Sequence, residues 1–151
     1  QTAHFETYNP SLAGDQIQDL ATVSTWLRSL PDVREISLVG QGHAGFQVLL
    51  ARPLLTGIAR TFVDLGDCSF ADDAKDLPGS LDLPGLFQFG GLKAAAALTA
   101  PSPLWIAGPE SGLDRRWPEA AYTIAGASQA LRFSTSPPSP GELATWIDKA
   151  E

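Results

Sequence analysis

Apolar residues recur along the chain in two alternating patterns, one with helical spacing and one of short continuous runs. Helical patterns predict helices over Asp15–Leu30, His43 to about Arg52, Trp117–Ala127 and Gly141–Ala150. The segment Leu86–Ala100 includes the strong helix run Lys93–Leu98. Short apolar runs predict buried strands at Ile36–Val39, Thr61–Leu65, Leu104–Ala107 and Ala130–Phe133. This alternation predicts an α/β fold, with a parallel sheet of about four strands and helices on both faces.

Length and composition favour one folded domain over residues 1–151. Hydrophobic residues make up 44% of the chain and charged residues 18%, which excludes a disordered tail. Methionine is absent even at position 1, so Gln1 is not expected to be a natural translation start. The segment Gln1–Asn9 lacks the pattern of a signal peptide. No apolar run reaches the roughly 20 residues that a membrane span needs, so we expect a soluble protein of unknown compartment.

Charge and cysteine content exclude some classes of binding partner and some kinds of metal site. The net charge of −7 disfavours a nucleic acid or an anionic membrane surface, because both bind clustered cations. The single cysteine, Cys68, excludes an internal disulfide and a metal site made of cysteines alone. Neither a nucleic acid nor a membrane is therefore expected as a partner, and the resemblance described next implies a small-molecule ester substrate.

The segment Ile36–Gly45 has the pattern of a strand, a tight turn of small residues and a helix start. It resembles the nucleophile elbow of the α/β-hydrolases, G-x-S-x-G. Thr7–Asn9, Asp15 and Asp19 before it, and Ala100–Leu104 after it, are similar in order to the dienelactone-hydrolase-like and acetylxylan-esterase-like members. The resemblance implies a truncated α/β-hydrolase-like three-layer sandwich, corresponding to the C-terminal half of that fold.

The catalytic positions depart from this family. Gly42 stands at the nucleophile position and has no side chain that could attack a substrate. Glu110 and Asp114 stand where the resemblance places the acid, but Ser134–Pro137 contains no histidine where the family has one. The usual acyl-enzyme route is therefore absent. By resemblance, the backbone N–H of His43 is retained as one oxyanion donor.

Other polar residues are predicted to gather at the carboxyl ends of the strands, where ligands bind in parallel α/β sheets. His43 follows the first strand, and Asp64, Asp67 and Cys68 end or follow the second. The resemblance brings His4 to the same edge, so both histidines of the chain are expected there. Each of these residues also has a plain structural interpretation. His43 would be an exposed helix start, and Asp64 would form hydrogen bonds within a turn. Asp67 would lie in a solvated acidic loop, Cys68 would be a small buried side chain, and His4 would lie in a frayed terminus.

Two histidines with a carboxylate or thiolate and a free position for water are typical of catalytic zinc. The predicted ligands of zinc, or of another divalent transition metal, are His4, His43, Asp64 and Cys68. In the complete predicted site, the catalytic residues are His43 and Asp67, and the substrate or oxyanion positions are Gly42 and Tyr8. No sequence motif such as H-E-x-x-H supports this set, which rests on the topology.

Three functional hypotheses follow. The first is a small hydrolase of activated esters, either carboxylic esters or phosphate triesters, that uses a metal-activated water. The second is a catalytically inactive α/β-hydrolase-like domain with a structural or interaction role. The third is a metal-free esterase in which His43 is the base for water, assisted by an acid such as Asp67.

The strand Ile36–Val39 is also expected to lack a neighbour on one side, because the resemblance covers only half of the family's sheet. An apolar edge strand invites pairing with another chain. The helices that cover the sheet would then expose further apolar area. We therefore expect a homodimer, or association with a separate partner domain.

Overall fold

Helices and strands alternate through the part of the chain that the computed structural model describes, which is residues 11–66, 83, 85–108 and 113–148. The helices are α1 (Leu12–Ser29), α2 (His43–Ala51), α3 (Gly91–Leu98), α4 (Arg116–Ile124) and α5 (Pro140–Ile147). The strands are β1 (Ser37–Gln41), β2 (Arg60–Asp64), β3 (Leu104–Ala107) and β4 (Leu131–Ser134). Short 3₁₀ helices occupy Arg52–Leu54, Phe87–Phe89 and Ser128–Ala130.

The strands form one sheet in the order β1-β2-β3-β4, and every neighbouring pair is parallel. The register places Val39, Phe62, Trp105 and Arg132 in one row across it. The predicted α/β class and the parallel sheet of about four strands are therefore confirmed. No helix of the described residues is long and apolar enough to cross a membrane.

Helices α1 to α4 cover one side of the sheet, here called the four-helix face. The main core lies beneath them and joins α2, α3 and α4 to β2 and β3. Phe46 and Leu49 of α2 are fully buried there, as is Tyr122 of α4. The Tyr122 hydroxyl donates a 2.6 Å hydrogen bond to the Ser102 carbonyl, so its buried polar atom is satisfied.

Helix α5 packs on the opposite side, here called the single-helix face. Phe62 and Trp105 of the sheet are almost fully buried under it. The Trp105 ring makes edge-to-face contacts with Phe62 and with Trp146, at centroid distances of 5.4 and 5.6 Å. Both faces thus carry helices, as the alternating pattern predicts.

The helix run Lys93–Leu98, predicted within Leu86–Ala100, is confirmed by α3, which begins slightly earlier. The chain first makes the 3₁₀ turn Phe87–Phe89, and α3 starts at Gly91. The glycine pair sets this start, since Gly90 and Gly91 have φ values of 91° and 58°. A helix needs negative φ, so the pair separates the turn from α3.

Arg52 holds the end of α2 to the start of β2 from inside the protein. Its side chain is only 5% exposed. The guanidinium donates hydrogen bonds to the Thr61 hydroxyl at 3.0 Å, the Leu55 carbonyl at 3.0 Å and the Ile58 carbonyl at 3.1 Å. Burial lowers the pKa of Arg52, and nearby Tyr122 acts in the opposite direction. These neutral partners satisfy a buried cation and tie together the loop between α2 and β2.

We expect Arg52→Met to lower the free energy of unfolding by about 2–4 kcal/mol, because it leaves the Leu55 and Ile58 carbonyls buried without a donor. Urea denaturation followed by circular dichroism measures the change. The matched control is Arg34→Met, at an exposed arginine, with an expected change within about 0.5 kcal/mol. Equal effects of the two substitutions would contradict the role assigned to Arg52.

Candidate functional site

The turn from β1 to α2 has a sharp backbone conformation. Strand β1 ends at Gln41, and Gly42 adopts a φ of 56° and a ψ of −126° before α2 begins at His43. The Gly42 N–H donates to the Asp64 carbonyl at 2.9 Å, and the Gly42 carbonyl accepts from the Gly45 N–H at 3.0 Å. The turn is therefore bound both to the end of β2 and to the first turn of α2.

Two glycines allow this turn to pack so closely. A Cβ atom at Gly40 would lie 2.6 Å from the Ala44 carbonyl oxygen. A Cβ atom at Gly45 would lie 2.4 Å from the Asp64 carbonyl oxygen. Both distances are far inside van der Waals contact with backbone atoms, so neither position accepts a side chain without movement of the chain.

Gly42 itself faces space that no described residue fills. A Cβ atom at this position would meet no described atom within 4 Å, and the same is true at Gly66 after β2. Gly66 and Gly108 also have positive φ, 59° and 145°, so glycines stand at the ends of three neighbouring strands. Gly66 and Gly108 are not among the site residues predicted from the sequence. A glycine directly after an apolar run is nevertheless a sequence signal for a turn at the end of a strand.

His43 is exposed and is the first residue of α2. Its N–H and that of Ala44 lie in the first turn, where a helix provides no acceptor. The positive end of the helix dipole lies at the same place. These backbone groups can therefore stabilise a developing negative charge, with the His43 side chain close by in sequence.

Asp64 lies half-buried at the end of β2. Its Oδ1 accepts a 2.9 Å hydrogen bond from the Gly66 N–H, which holds the turn after the strand. This is the plain structural role that an aspartate has in such turns. The register places Asp64 beside Gln41 of β1 and Ala107 of β3.

Several predicted site residues lie outside the described residues, namely His4, Tyr8, Asp67, Cys68 and Glu110. Of the predicted metal ligands, the structure therefore describes only His43 and Asp64. Within the described ranges, no group of three histidine, cysteine, aspartate or glutamate side chains is placed to hold a metal ion. The full ligand set stays a prediction.

Two other polar residues at this end of the sheet have structural partners. Asp114 makes a bidentate salt bridge with the Arg116 guanidinium, at 2.9 and 2.8 Å, and accepts from the Arg116 N–H at 3.1 Å. These hydrogen bonds lower the pKa of Asp114 to about 2. The Ser134 hydroxyl accepts a 2.9 Å hydrogen bond from the Trp105 indole N–H. Asp114 thus binds the first residue of α4, and Ser134 anchors the buried tryptophan.

Comparison with known proteins defines a fold class. No family model matches the sequence, and no curated protein matches it. Solved structures do match, and those described next carry esterase names. The chain therefore has an α/β architecture that also occurs in esterase structures, in agreement with the fold that the elbow resemblance implies.

A Bacteroides fragilis protein that carries the name acetyl xylan esterase matches at a TM-score of 0.66 and 18% identity, over 82% of this chain and 36% of its own. Methylesterase BT1017 matches at 0.63 and 18% identity, over 91% of this chain and 35% of its own. A carbohydrate esterase family 15 glucuronoyl esterase from Caldicellulosiruptor kristjansonii matches at 0.58 and 14% identity, over 87% and 47%. This chain spans about a third to a half of their length.

We expect Gly45→Ala to lower the free energy of unfolding by about 3 kcal/mol or more, because its methyl group would overlap the Asp64 carbonyl. Gly42→Ala is expected to cost only about 1–2 kcal/mol, since its site is open and only the positive φ is strained. Gly66→Ala is the control for positive φ alone. Urea denaturation measures all three, and a larger loss at Gly42 than at Gly45 would contradict the packing described for the turn.

Asp114→Asn should destabilise the fold at pH 6 and have a much smaller effect near pH 2. The folded-state pKa of Asp114 lies below its ordinary value. The stability that it contributes is therefore present above the ordinary pKa and is lost as the pH falls toward 2. Thermal melting of both proteins across this pH range measures the difference, with the exposed Asp32→Asn as control. A difference that is the same at pH 6 and pH 2 would argue against the Arg116 salt bridge as its cause.

Proposed function

We propose that this chain hydrolyses small activated esters at the carboxyl edge of its sheet, with water as the nucleophile. The observation that supports the proposal is the sharp turn from β1 to α2, with space at Gly42 that no described residue fills. The esterase names of the structural neighbours support esters as the substrate class. This chain spans only about a third to a half of their length, so the activity is proposed for this chain and is not transferred from the whole neighbouring proteins.

The backbone of α2 is proposed to hold the ester carbonyl. The carbonyl oxygen would accept hydrogen bonds from the first-turn N–H groups, those of His43 and Ala44. As water attacks, the negative charge on that oxygen grows, and the fixed N–H dipoles stabilise it more strongly than the neutral carbonyl. A single oxyanion donor contributes about 2.7–4 kcal/mol in other hydrolases.

The space at Gly42 is proposed to hold the attacking water. The His43 imidazole would take a proton from this water as the water oxygen bonds to the carbonyl carbon. The same proton would then pass to the leaving alkoxide, so that the products are a carboxylic acid and an alcohol. Positioned acid–base catalysis of this kind typically accelerates a reaction by about 10²–10⁴-fold.

The metal-dependent form of the proposal uses His4, His43, Asp64 and Cys68 as ligands for zinc or a similar ion. The two described members fit this chemically, because His43 is exposed and Asp64 has a carboxylate oxygen besides the one bound to Gly66. Zinc lowers the pKa of a bound water and polarises a carbonyl or phosphoryl oxygen, which extends the substrates to phosphate triesters. Asp67 would then take the role of base.

A second candidate is a non-catalytic domain with a structural or interaction role. Two observations favour it: Gly42 has no nucleophilic side chain, and the Ser134 hydroxyl is bound to buried Trp105. In this case the elbow only joins β1 to α2. The two candidates differ in whether the folded chain accelerates ester hydrolysis at all.

We expect the purified protein to hydrolyse p-nitrophenyl acetate faster than the same protein after denaturation, which controls for hydrolysis by free side chains. His43→Ala should lower kcat/KM by about 100-fold or more, because the base is lost. Gln129→Ala, at an exposed position away from the sheet edge, is the matched control. Equal rates for folded and denatured protein would favour the non-catalytic domain.

Metal analysis and chelation separate the two catalytic forms. In the metal-dependent form, zinc is found by elemental analysis, and a chelator abolishes hydrolysis of both p-nitrophenyl acetate and an aryl phosphotriester. In the metal-free form, carboxylic ester hydrolysis survives chelation and is lost only in His43→Ala. Activity that survives both chelation and His43→Ala would overturn the proposed site.

A further inference from the structure

A cavity of about 420 Å³ opens at the amino ends of the first three strands. It is lined by Glu35, which precedes β1, and by residues 58–60 and 101–103, which lead into β2 and β3. Arg60 in this cavity and Asp64 at the carboxyl edge stand at opposite ends of β2, about 13 Å apart at the usual rise of a strand. The cavity is therefore separate from the proposed catalytic site, and its volume lies within the range of small-molecule sites.

One wall of the cavity, residues 58–60, is held from inside the protein. The Ile58 carbonyl accepts a 3.1 Å hydrogen bond from the buried Arg52 guanidinium. The Ala59 N–H donates a 2.8 Å hydrogen bond to the Ile36 carbonyl. These bonds fix the wall between the interior and the chain before β1 without any contribution from a ligand.

The second wall, residues 101–103, is fixed in a similar way. The Ser102 carbonyl accepts a 2.6 Å hydrogen bond from the buried Tyr122 hydroxyl, and the Pro103 carbonyl accepts a 3.0 Å hydrogen bond from the Thr61 N–H. The rings of Pro101 and Pro103 restrict their own backbone angles as well. Because both walls are ordered before binding, a ligand would not have to pay for ordering them.

The cavity carries one negative and one positive side chain. Glu35 is exposed, and no described residue forms an ion pair with its carboxylate. The Arg60 guanidinium lies 5.6 Å from the Trp146 ring centroid. An aromatic ring meets the flat face of a guanidinium, whereas its five N–H donors lie around the edge. The cavity thus combines an acceptor for a cationic group with donors for an anionic one.

We propose that this cavity binds a small zwitterion, of the class of free amino acids with an apolar side chain. The ammonium group of the ligand would donate to the Glu35 carboxylate, and its carboxylate would accept from the Arg60 guanidinium. Its side chain would lie against the rings of Pro101 and Pro103. A ligand with only an anionic group would be repelled by Glu35, and one with only a cationic group by Arg60, so the cavity would select against both.

NMR titration of isotope-labelled protein with L-leucine tests the cavity without any ester, so its outcome is independent of the proposed hydrolysis. We expect shifts at the amides of Ala59, Arg60 and Ser102, none at Ala44 or Gly45, and a Kd of about 1 mM or lower. N-acetyl-L-leucine lacks the ammonium charge and L-leucinamide lacks the carboxylate, so each should bind at least about tenfold more weakly. No binding of L-leucine, or equal binding of all these compounds, would overturn the proposal.

The variant Glu35→Gln tests the contact with the ammonium group. It keeps the size of an exposed side chain and removes the charge, so the fold should be retained. We expect it to weaken L-leucine at least about tenfold and to leave the weak binding of N-acetyl-L-leucine without a further loss. Glu119→Gln, at an exposed glutamate of α4, is the matched control. Equal effects of the two substitutions on L-leucine would contradict the assigned ligand class.

Discussion

The close approach of α2 to the end of β2 is the contact on which the carboxyl edge of the sheet depends. Gly45 comes so near the Asp64 carbonyl that a methyl group would lie only 2.4 Å from its oxygen. With α2 held there, the chain must turn sharply after β1, and Gly42 takes a positive φ. The same contact leaves the first N–H groups of α2 and the His43 side chain at the rim.

The two faces of the sheet serve different purposes. The four-helix face supplies most of the buried apolar area, which is the main source of stability. The single-helix face depends on one buried tryptophan, Trp105, held by Trp146, Arg132 and Ser134. These contacts cluster around β3 and β4, whereas Val39 of β1 stays exposed. The proposed site therefore lies toward the β1 side of the molecule, away from this cluster.

The alternation of the chain predicted the fold well, because apolar strands and amphipathic helices are local patterns. The predicted strands at Leu104–Ala107 and Thr61–Leu65 agree with β3 and β2 to within a residue at each end. The helix run predicted at Lys93–Leu98 agrees with α3, and the positive φ of Gly90 and Gly91 sets where that helix begins. At the site, His43 and Gly42 were predicted at the sheet edge, and the structure places them there.

By itself the sequence determined the order of the elements, the parallel sheet and the glycine-rich turn after β1, since each follows from neighbouring residues along the chain. Tertiary structure alone decided which polar residues are already engaged. Asp114 is held by Arg116, Ser134 by Trp105, and Asp64 by the Gly66 amide. It also decided that Gly45 is pressed against β2, while no described atom lies close to where a side chain at Gly42 would begin. The Ser134 and Gly45 contacts join segments far apart in sequence. The Asp114 and Asp64 contacts span only two residues but depend on the backbone conformation of each turn, which residue spacing does not encode.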